Sequence, residues 1–253
     1  MKDTELDYTG VFQKIIKDIE NHPYLELDFH QVNQGISAKY LTKIKEKLFQ
    51  DLPYFESIDM KSIFQFYSEM NGLTLSWKIS SDLDDKTYNS LKEKITDLTF
   101  PEDRNEILGK INILPFEEVF LCDHDFFKIS SSGDHFTEFD DFVYEGNSFG
   151  EILFLFDVFS DTECMSFVAD NDDGHKVILL QEDYKLWNHS KVSYFHSYMK
   201  FLAATRGLIE SRIKTFSEYR GDKTEDILWA KIPYGTTIEP DLFKIPDIIS
   251  SSL

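Results

Sequence analysis

The chain has few of the residues that stabilise small secreted proteins or mark a membrane span. Its two cysteines, Cys122 and Cys164, could form one disulfide at most, which excludes a disulfide-rich scaffold. No run of about 18 apolar residues occurs, so the sequence predicts no transmembrane helix. The first residues, from Met1 to Asp7, lack the apolar stretch of a secretory signal. We therefore expect a cytoplasmic protein with reduced thiols.

Basic residues are also scarce, with 26 Lys and Arg against 46 Asp and Glu and a net charge of −20. Binding to nucleic-acid phosphates or to an anionic membrane needs a basic surface, so neither is expected. The excess acid is concentrated in residues 116–173, which hold 16 acidic residues and one basic residue, Lys128. This charge either keeps the surface solvated or steers a basic partner toward the protein.

The spacing of apolar residues predicts one α+β domain with elaborated ends. Apolar residues make up 42% of the chain and include 23 Phe, which is enough for a Phe-rich core. Helices are predicted over residues 11–20, 38–49, 60–70 and 87–98 and from 193 to about 206. Strands are predicted over residues 24–29, 73–79, 107–114, 152–159, 165–169 and 176–181.

The most informative unit runs from Ile63 to Ile79. Its first half has an apolar stripe at helical spacing, and Asn71-Gly72 is predicted to end that helix because Gly adopts left-handed geometry readily. Its second half alternates apolar and polar residues, which is typical of a half-buried strand. The inward residues of this strand are Leu73, Leu75, Trp77 and Ile79.

Read in order, these elements resemble the SUKH superfamily over residues 51–208. The helix ending in Asn71-Gly72, followed by Leu73-Thr-Leu75, is similar to the superfamily's helix–Asn-Gly–strand signature. Gly109–Ile113 resembles its central strand, and residues 154–181 and 193–202 resemble its closing sheet and last helix. The stretches 82–105 and 123–150 resemble insertions.

The resemblance implies a curved, mostly antiparallel sheet packed by helices and used as a protein-binding scaffold. It divides the chain into an N-terminal helical extension over residues 1–50, a SUKH-like domain over 51–210, and a C-terminal extension over 211–253 packed on the same domain. Most bacterial proteins of this type resemble immunity proteins, which bind and block a cognate toxin, often a nuclease or a deaminase.

The leading hypothesis is a non-enzymatic immunity protein that neutralises a basic, nuclease-type protein toxin through an acidic surface. The alternative is a regulatory scaffold of the same fold with an endogenous partner. No cofactor is expected, and the oligomeric state stays open. The candidate partner-binding residues are Asp82, Asp84, Asp85, Asp140, Asp141, Glu145, Asp170, Asp172, Asp173 and Trp187.

A third hypothesis is a metal-dependent enzyme at Cys122-Asp-His-Asp125, which His135 could join. Neighbouring residues on a strand point to opposite faces, so four in a row rarely converge on one ion, and an acidic loop with a half-buried Cys122 is the preferred interpretation. Residues 170–175 resemble a calcium loop. However, positions six and twelve are His175 and Gln181 rather than Gly and Glu, which favours a plain turn.

Several aromatic residues could anchor an interface, where such side chains contribute much of the binding energy. Tyr54, Tyr67 and Trp77 could do so or could lie in the core, and the phase of Trp77 with Leu73 and Leu75 favours the core. Trp187 lies outside the alternation of the predicted hairpin and is the better candidate for a surface anchor. His196 is expected at the surface or at a helix edge.

Overall fold

The computed structural model describes residues 7–51, 56, 60–94, 101–121, 143–144, 147–148, 153–160, 163–170, 174–181, 185–188, 195–210 and 212–213. Helices in these residues are α1 Tyr8–Glu20, α2 Ala38–Asp51, α3 Lys61–Glu69, α4 Asp85–Lys94, α5 Phe116–Phe120 and α6 Phe195–Thr205. Strands are β1 Leu25–Gln34, β2 Met70–Ile79, β3 Gly109–Ile113, β4 Val143–Tyr144, β5 Asn147–Ser148, β6 Leu153–Val158, β7 Glu163–Asp170, β8 Gly174–Gln181 and β9 Lys185–Asn188.

Seven of these strands form one sheet in the order β1-β2-β3-β6-β7-β8-β9. Every pairing in it is antiparallel. Strands β4 and β5 form a separate antiparallel pair. Helices α1, α3, α5 and α6 pack against the large sheet, so the predicted α+β class with a mostly antiparallel sheet packed by helices is confirmed. In the described part of the chain, β1 and β9 are the edges of that sheet.

The core lies between the sheet and helices α1, α3 and α6. The predicted inward residues of β2 are buried, and Trp77 is 1% exposed, which confirms its assignment to the core. Tyr67 is also fully buried, so it is a core residue rather than an interface anchor. A cluster of aromatic rings continues the core toward α6, where Phe156 stacks on Phe167 with ring centroids 4.1 Å apart. Such pairs contribute beyond the area they bury.

The junction between α3 and β2 differs from the prediction. Helix α3 ends at Glu69, and Met70 is already extended, with φ −149° and ψ 133°. Gly72 has the predicted positive φ, at 96°, but it lies inside β2 rather than at the end of the helix. The pairing of β1 with β2 is irregular there, and a Cβ on Gly72 would approach the carbonyl oxygen of Ile113 to 2.8 Å. The glycine therefore serves an irregularity in the sheet, and its assignment as a helix end is wrong.

The N-terminal 50 residues contribute more than helices. Besides α1 and α2, they supply β1, a ten-residue strand that pairs with β2 along its length. The predicted strand was shorter, over 24–29, because most of β1 is exposed and its apolar pattern is weak. In helix α2, Leu41, Ile44 and Leu48 are buried in the core, whereas Tyr40 is 50% exposed.

The closing hairpin and the last helix follow their predictions closely. Strands β7 and β8 pair down to Asp170 opposite Gly174, and the turn itself, residues 171–173, lies outside the described residues. Helix α6 ends at Thr205, and Arg206 and Gly207 take left-handed φ values of 51° and 71°. Gly207 therefore follows the helix end in the left-handed conformation that glycine commonly adopts there.

Candidate functional site: an acidic groove along the edge strand

Strand β1 carries exposed apolar side chains at the edge of the sheet. Phe29 is 49% exposed and Val32 is 39% exposed. In the described part of the chain, Tyr40 is the other large apolar residue with comparable exposure, and it lies in the first turn of the helix that follows β1. A pair of exposed apolar residues on an edge strand is unusual, because the open side of such a strand can associate with another chain.

Two adjoining depressions run beside β1, and together we call them the β1 groove. One has a volume of about 570 Å³ and the other of about 420 Å³, and Glu20 and His30 line both. The first is otherwise lined by residues 25–29. The second lies against α1 and is otherwise lined by Gln13, Ile16, Lys17, Gln31 and Val32.

The β1 groove is acidic at the end where β1 begins. Glu20, Glu26 and Asp28 line the first depression, and no Lys or Arg lines it. Burial raises the pKa of Glu26, but hydrogen bonds from Ser81 and the charge of Lys78 outweigh this and hold the pKa below its usual value. Glu26 is therefore ionised at neutral pH.

Glu26 also joins the groove to the acidic loop after β2. Its Oε2 accepts hydrogen bonds from the backbone N (2.8 Å) and the hydroxyl (3.0 Å) of Ser81. This contact brings the start of β1 to the loop that carries Asp82, Asp84 and Asp85, and these predicted partner-binding residues are all exposed.

The three loop aspartates differ in their partners. Asp84 accepts hydrogen bonds from the backbone N and the hydroxyl of Thr87, both at 2.9 Å, and these bonds hold its pKa below the usual value. Asp85 pairs with Arg104 at 2.5 Å. In the described part of the chain, no hydrogen bond or ion pair involves the side chain of Asp82. Asp82 is thus the loop carboxylate that is most available to a partner.

The remaining predicted site residues are not placed by the structure. Asp170 is the last residue of β7, opposite Gly174, and Trp187 of β9 pairs with Leu179 of β8. The side chains of Asp170 and Trp187 lie outside the described part of the chain. The other unplaced candidates lie wholly outside it, and these are Asp140, Asp141, Glu145, Asp172, Asp173, Tyr54, His135 and the Cys122–Asp125 cluster. Within the described residues, no group of three or more His, Cys, Asp or Glu side chains is arranged to hold a metal ion.

A buried charge cluster was missed by the sequence analysis. Asp157 and Arg212 are both 0% exposed, and the Nη1 of Arg212 lies 3.2 Å from the Oδ2 of Asp157. The hydroxyl of Tyr198 donates to the same oxygen at 2.6 Å, and the backbone N of Asn112 donates to Oδ1 at 2.9 Å. The Arg212 guanidinium also stacks over Phe159, 4.0 Å from the ring centre.

This cluster is structural in character, because its members are enclosed. Burial raises the pKa of the Tyr198 hydroxyl well above its usual value, with Arg212 opposing that effect and Asp157 adding to it. The Nη2 of Arg212 donates to the backbone oxygen of Lys110 at 2.8 Å, which fixes residues after α6 against β3. An aspartate within an apolar run, as at 152–159, was the available signal for such a buried charge.

The prediction for His196 is wrong. Its side chain is 5% exposed, and its Nδ1 lies 3.2 Å from the hydroxyl of Tyr8 in α1. The helix that carries it is packed between α1, α3 and the sheet, so its polar residues are enclosed as well as its apolar ones. His196 therefore ties two helices together inside the core.

No family model, curated protein or solved structure matches this chain. Within the described residues, the helices are too short or too polar to traverse a lipid bilayer.

Proposed function

We propose that this chain is an immunity protein of the SUKH type, which binds a basic, nuclease-type protein toxin and blocks it without catalysing a reaction itself. The partner contacts the β1 groove and the adjoining aspartates of the 82–85 loop. Nuclease toxins need a basic surface to hold their substrate, so an acidic protein can occupy that surface. Complementary charge also speeds association and disfavours wrong partners.

The observation that supports this proposal is an exposed apolar edge beside three carboxylates, of which Glu26 also pairs with a lysine, Lys78, at 3.2 Å. Phe29 supplies an apolar anchor, and Glu20, Glu26 and Asp28 supply negative charge in the same depression. An interface typically combines an apolar centre with a polar rim that is complementary to the partner. A surface that was acidic only for solubility would not need the exposed phenylalanine.

The experiment is capture of partners from a lysate of the source organism at low and at high salt. The bait is the full-length protein, and the matched control is the Phe29→Ser variant, which keeps the charge and removes the apolar anchor. We expect a basic toxin domain, retained in one-to-one ratio by the wild type, held more weakly at high salt and more weakly by the variant. Retention of an acidic partner, or equal retention by both baits, would contradict the proposal.

The alternative is a regulatory scaffold that uses the same surface for an endogenous basic protein. The exposed edge and its charge support both functions equally. The captured partner separates them, because a toxin domain loses its toxicity when this chain is added, whereas a regulated protein changes its activity or location. A toxin gene next to this one would favour the immunity function.

A further inference from the structure

We propose that β1 binds its partner by strand addition, in which a basic, extended segment of the partner becomes a further strand of the sheet. This inference rests on the proposed function and specifies its geometry. In strand addition, backbone hydrogen bonds provide affinity and side-chain pockets provide specificity. The directions of the backbone groups of β1, the groove beside it and its charge each support this mode.

The direction of the backbone groups follows from the hydrogen bonds of β2. Ser80, which follows β2 in register, donates its N–H to the carbonyl oxygen of Tyr24 on the β1 side, at 2.9 Å. The carbonyl oxygen of Trp77 accepts from the N–H of Leu108 on the β3 side, at 3.1 Å. Successive residues of an antiparallel strand direct their backbone N–H and C=O groups alternately to its two neighbouring strands. The backbone groups of the even-numbered residues from 74 to 80 are therefore directed toward β1.

Two residues of β1, Phe29 and Gln31, pair with these β1-facing residues of β2. The alternate residues, His30 and Val32, must then direct their backbone N–H and C=O groups away from the sheet. Outside the ladder that pairs β1 with β2, no hydrogen bond among the described residues involves those groups. They form an open row of donors and acceptors on the outer side of β1.

The regular part of the edge lies between two irregularities in pairing. One falls between Leu27 and Phe29, and the other falls between Val32 and Gln34. Bulges of this kind twist an edge and limit uncontrolled pairing along it. The unbulged window from Phe29 to Val32 is therefore a short, defined place where one partner strand fits.

The charge and shape of the β1 groove define the occupant. A partner strand would pair with residues 29–32 over about 13 Å, because each residue of a strand rises roughly 3.3 Å, and its flanking residues would extend along the rest of the β1 groove. Its side chains would meet Phe29 on one face and Val32 with Ile16 on the other. The carboxylates of Glu20, Glu26 and Asp28 favour Lys or Arg in the incoming strand, and they disfavour a second copy of this acidic chain.

The probe is a blocked eight-residue peptide of alternating lysine and valine, titrated against the full-length protein at low salt. Its matched control is the same peptide with alternate backbone amides N-methylated, which keeps charge and side chains but removes donors. Hydrogen exchange at the amides of His30 and Val32 is followed in parallel. We expect protection of both amides by the first peptide and affinity at least about tenfold lower for the second, since two or more hydrogen bonds are lost.

Equal binding of the two peptides without protection at β1 would overturn strand addition and leave the acidic interface intact. Absence of binding at low salt would also overturn it, and partner capture would then decide the proposed function separately. Protection that rises with protein concentration in the absence of peptide would identify a second copy as the occupant, against this proposal.

Variants of the protein provide an independent measurement. Val32→Pro removes the outward N–H and leaves the bonds of Gln31 to β2, a position where an edge strand tolerates proline. Val32→Ala keeps the N–H and removes most of the side chain. We expect Val32→Pro to weaken peptide binding several-fold more than Val32→Ala, and equal effects would contradict the proposal. The thermal unfolding of both variants shows that the comparison is between folded proteins.

Discussion

The guanidinium of Arg212 lies 3.2 Å from the carboxylate of Asp157, and both side chains are fully buried. The pair joins the residues after α6 to the middle of the sheet, where Tyr198 and Asn112 complete the hydrogen bonding of the carboxylate. Taking two charges out of water is costly, so each depends on the other for its place in the core. The pair thus makes the fold depend on residues that follow helix α6.

Replacing Arg212 with methionine should leave the Asp157 carboxylate buried without its counter-charge. We expect the free energy of unfolding in urea to fall by about 3–5 kcal/mol, which is typical when one partner of a buried pair is removed. The matched variant is the double replacement Asp157→Asn with Arg212→Met, which removes both charges and keeps a side-chain oxygen for the Asn112 N–H. It should recover most of the loss, and a double variant as unstable as the single one would show that the charge pair is not the cause.

The close contact between Gly109 and Trp77 makes a second prediction. A Cβ at Gly109 would overlap the indole ring of Trp77, whose Nε1 donates to the carbonyl oxygen of Arg206 at 2.8 Å. Gly109→Ala should therefore lower the free energy of unfolding by about 1–3 kcal/mol, because the ring cannot move without losing that bond. Urea unfolding followed by far-UV circular dichroism measures this loss.

The matched control for that substitution is Gly10→Ala in α1. A Cβ there meets the side chain of Asp7, which can turn toward solvent. The gain in helix propensity, about 1 kcal/mol, offsets the weakened cap, so we expect little net change in stability. Equal destabilisation by the two substitutions would contradict the specific role of the Trp77 contact.

The buried thiol of Cys164 should make the free energy of unfolding depend on pH above neutrality. Burial raises the pKa of its thiol well above the usual range, and Asp157 and Glu163 raise it further. Above about pH 8.5 the thiol loses its proton in the unfolded chain but keeps it in the folded chain. The free energy of unfolding therefore keeps the whole contribution of this thiol below that pH and falls as the pH rises above it. Between about pH 8.5 and 9.5 the decline should approach roughly 1.4 kcal/mol per pH unit.

Urea unfolding at several pH values measures this decline, in a Cys122→Ser background that leaves Cys164 as the only thiol. In the same background, Cys164→Ala should lose less stability over that pH interval. A thiol reagent should also react with native Cys164 only at the rate of protein opening. Rapid modification of the native protein, or an unchanged pH slope in Cys164→Ala, would disprove burial as the cause.

Much of the fold could be predicted because its apolar spacing is strong where elements are buried on one side. The alternation from Leu73 to Ile79 and the hairpin of β7 and β8 are both present at nearly the predicted bounds. The junction at Met70 could not be read correctly, since a glycine with positive φ serves a sheet irregularity as well as a helix end. Only the pairing with β1 distinguishes the two.

The site could be predicted only in part. Exposure of Asp82, Asp84 and Asp85 follows from their place in a polar loop, but their approach to Glu26 depends on pairing across the sheet. Phe29 was missed as an exposed residue, because a phenylalanine in a weakly alternating stretch gives no sign of the face it occupies. The enclosure of His196 likewise depends on how α6 is packed by its neighbours.

The central claim is that the acidic β1 groove attracts a basic partner and speeds its association. The rate constant for association with the captured partner tests this claim most directly. The variant carries Glu20→Lys and Asp82→Lys, two exposed carboxylates without structural bonds in the described part of the chain. The control carries Glu46→Lys and Glu93→Lys, which change the net charge equally on helices α2 and α4, away from the groove lining. At low salt we predict that the groove variant associates about tenfold more slowly than the control variant. Equal rates for the two variants would contradict the account.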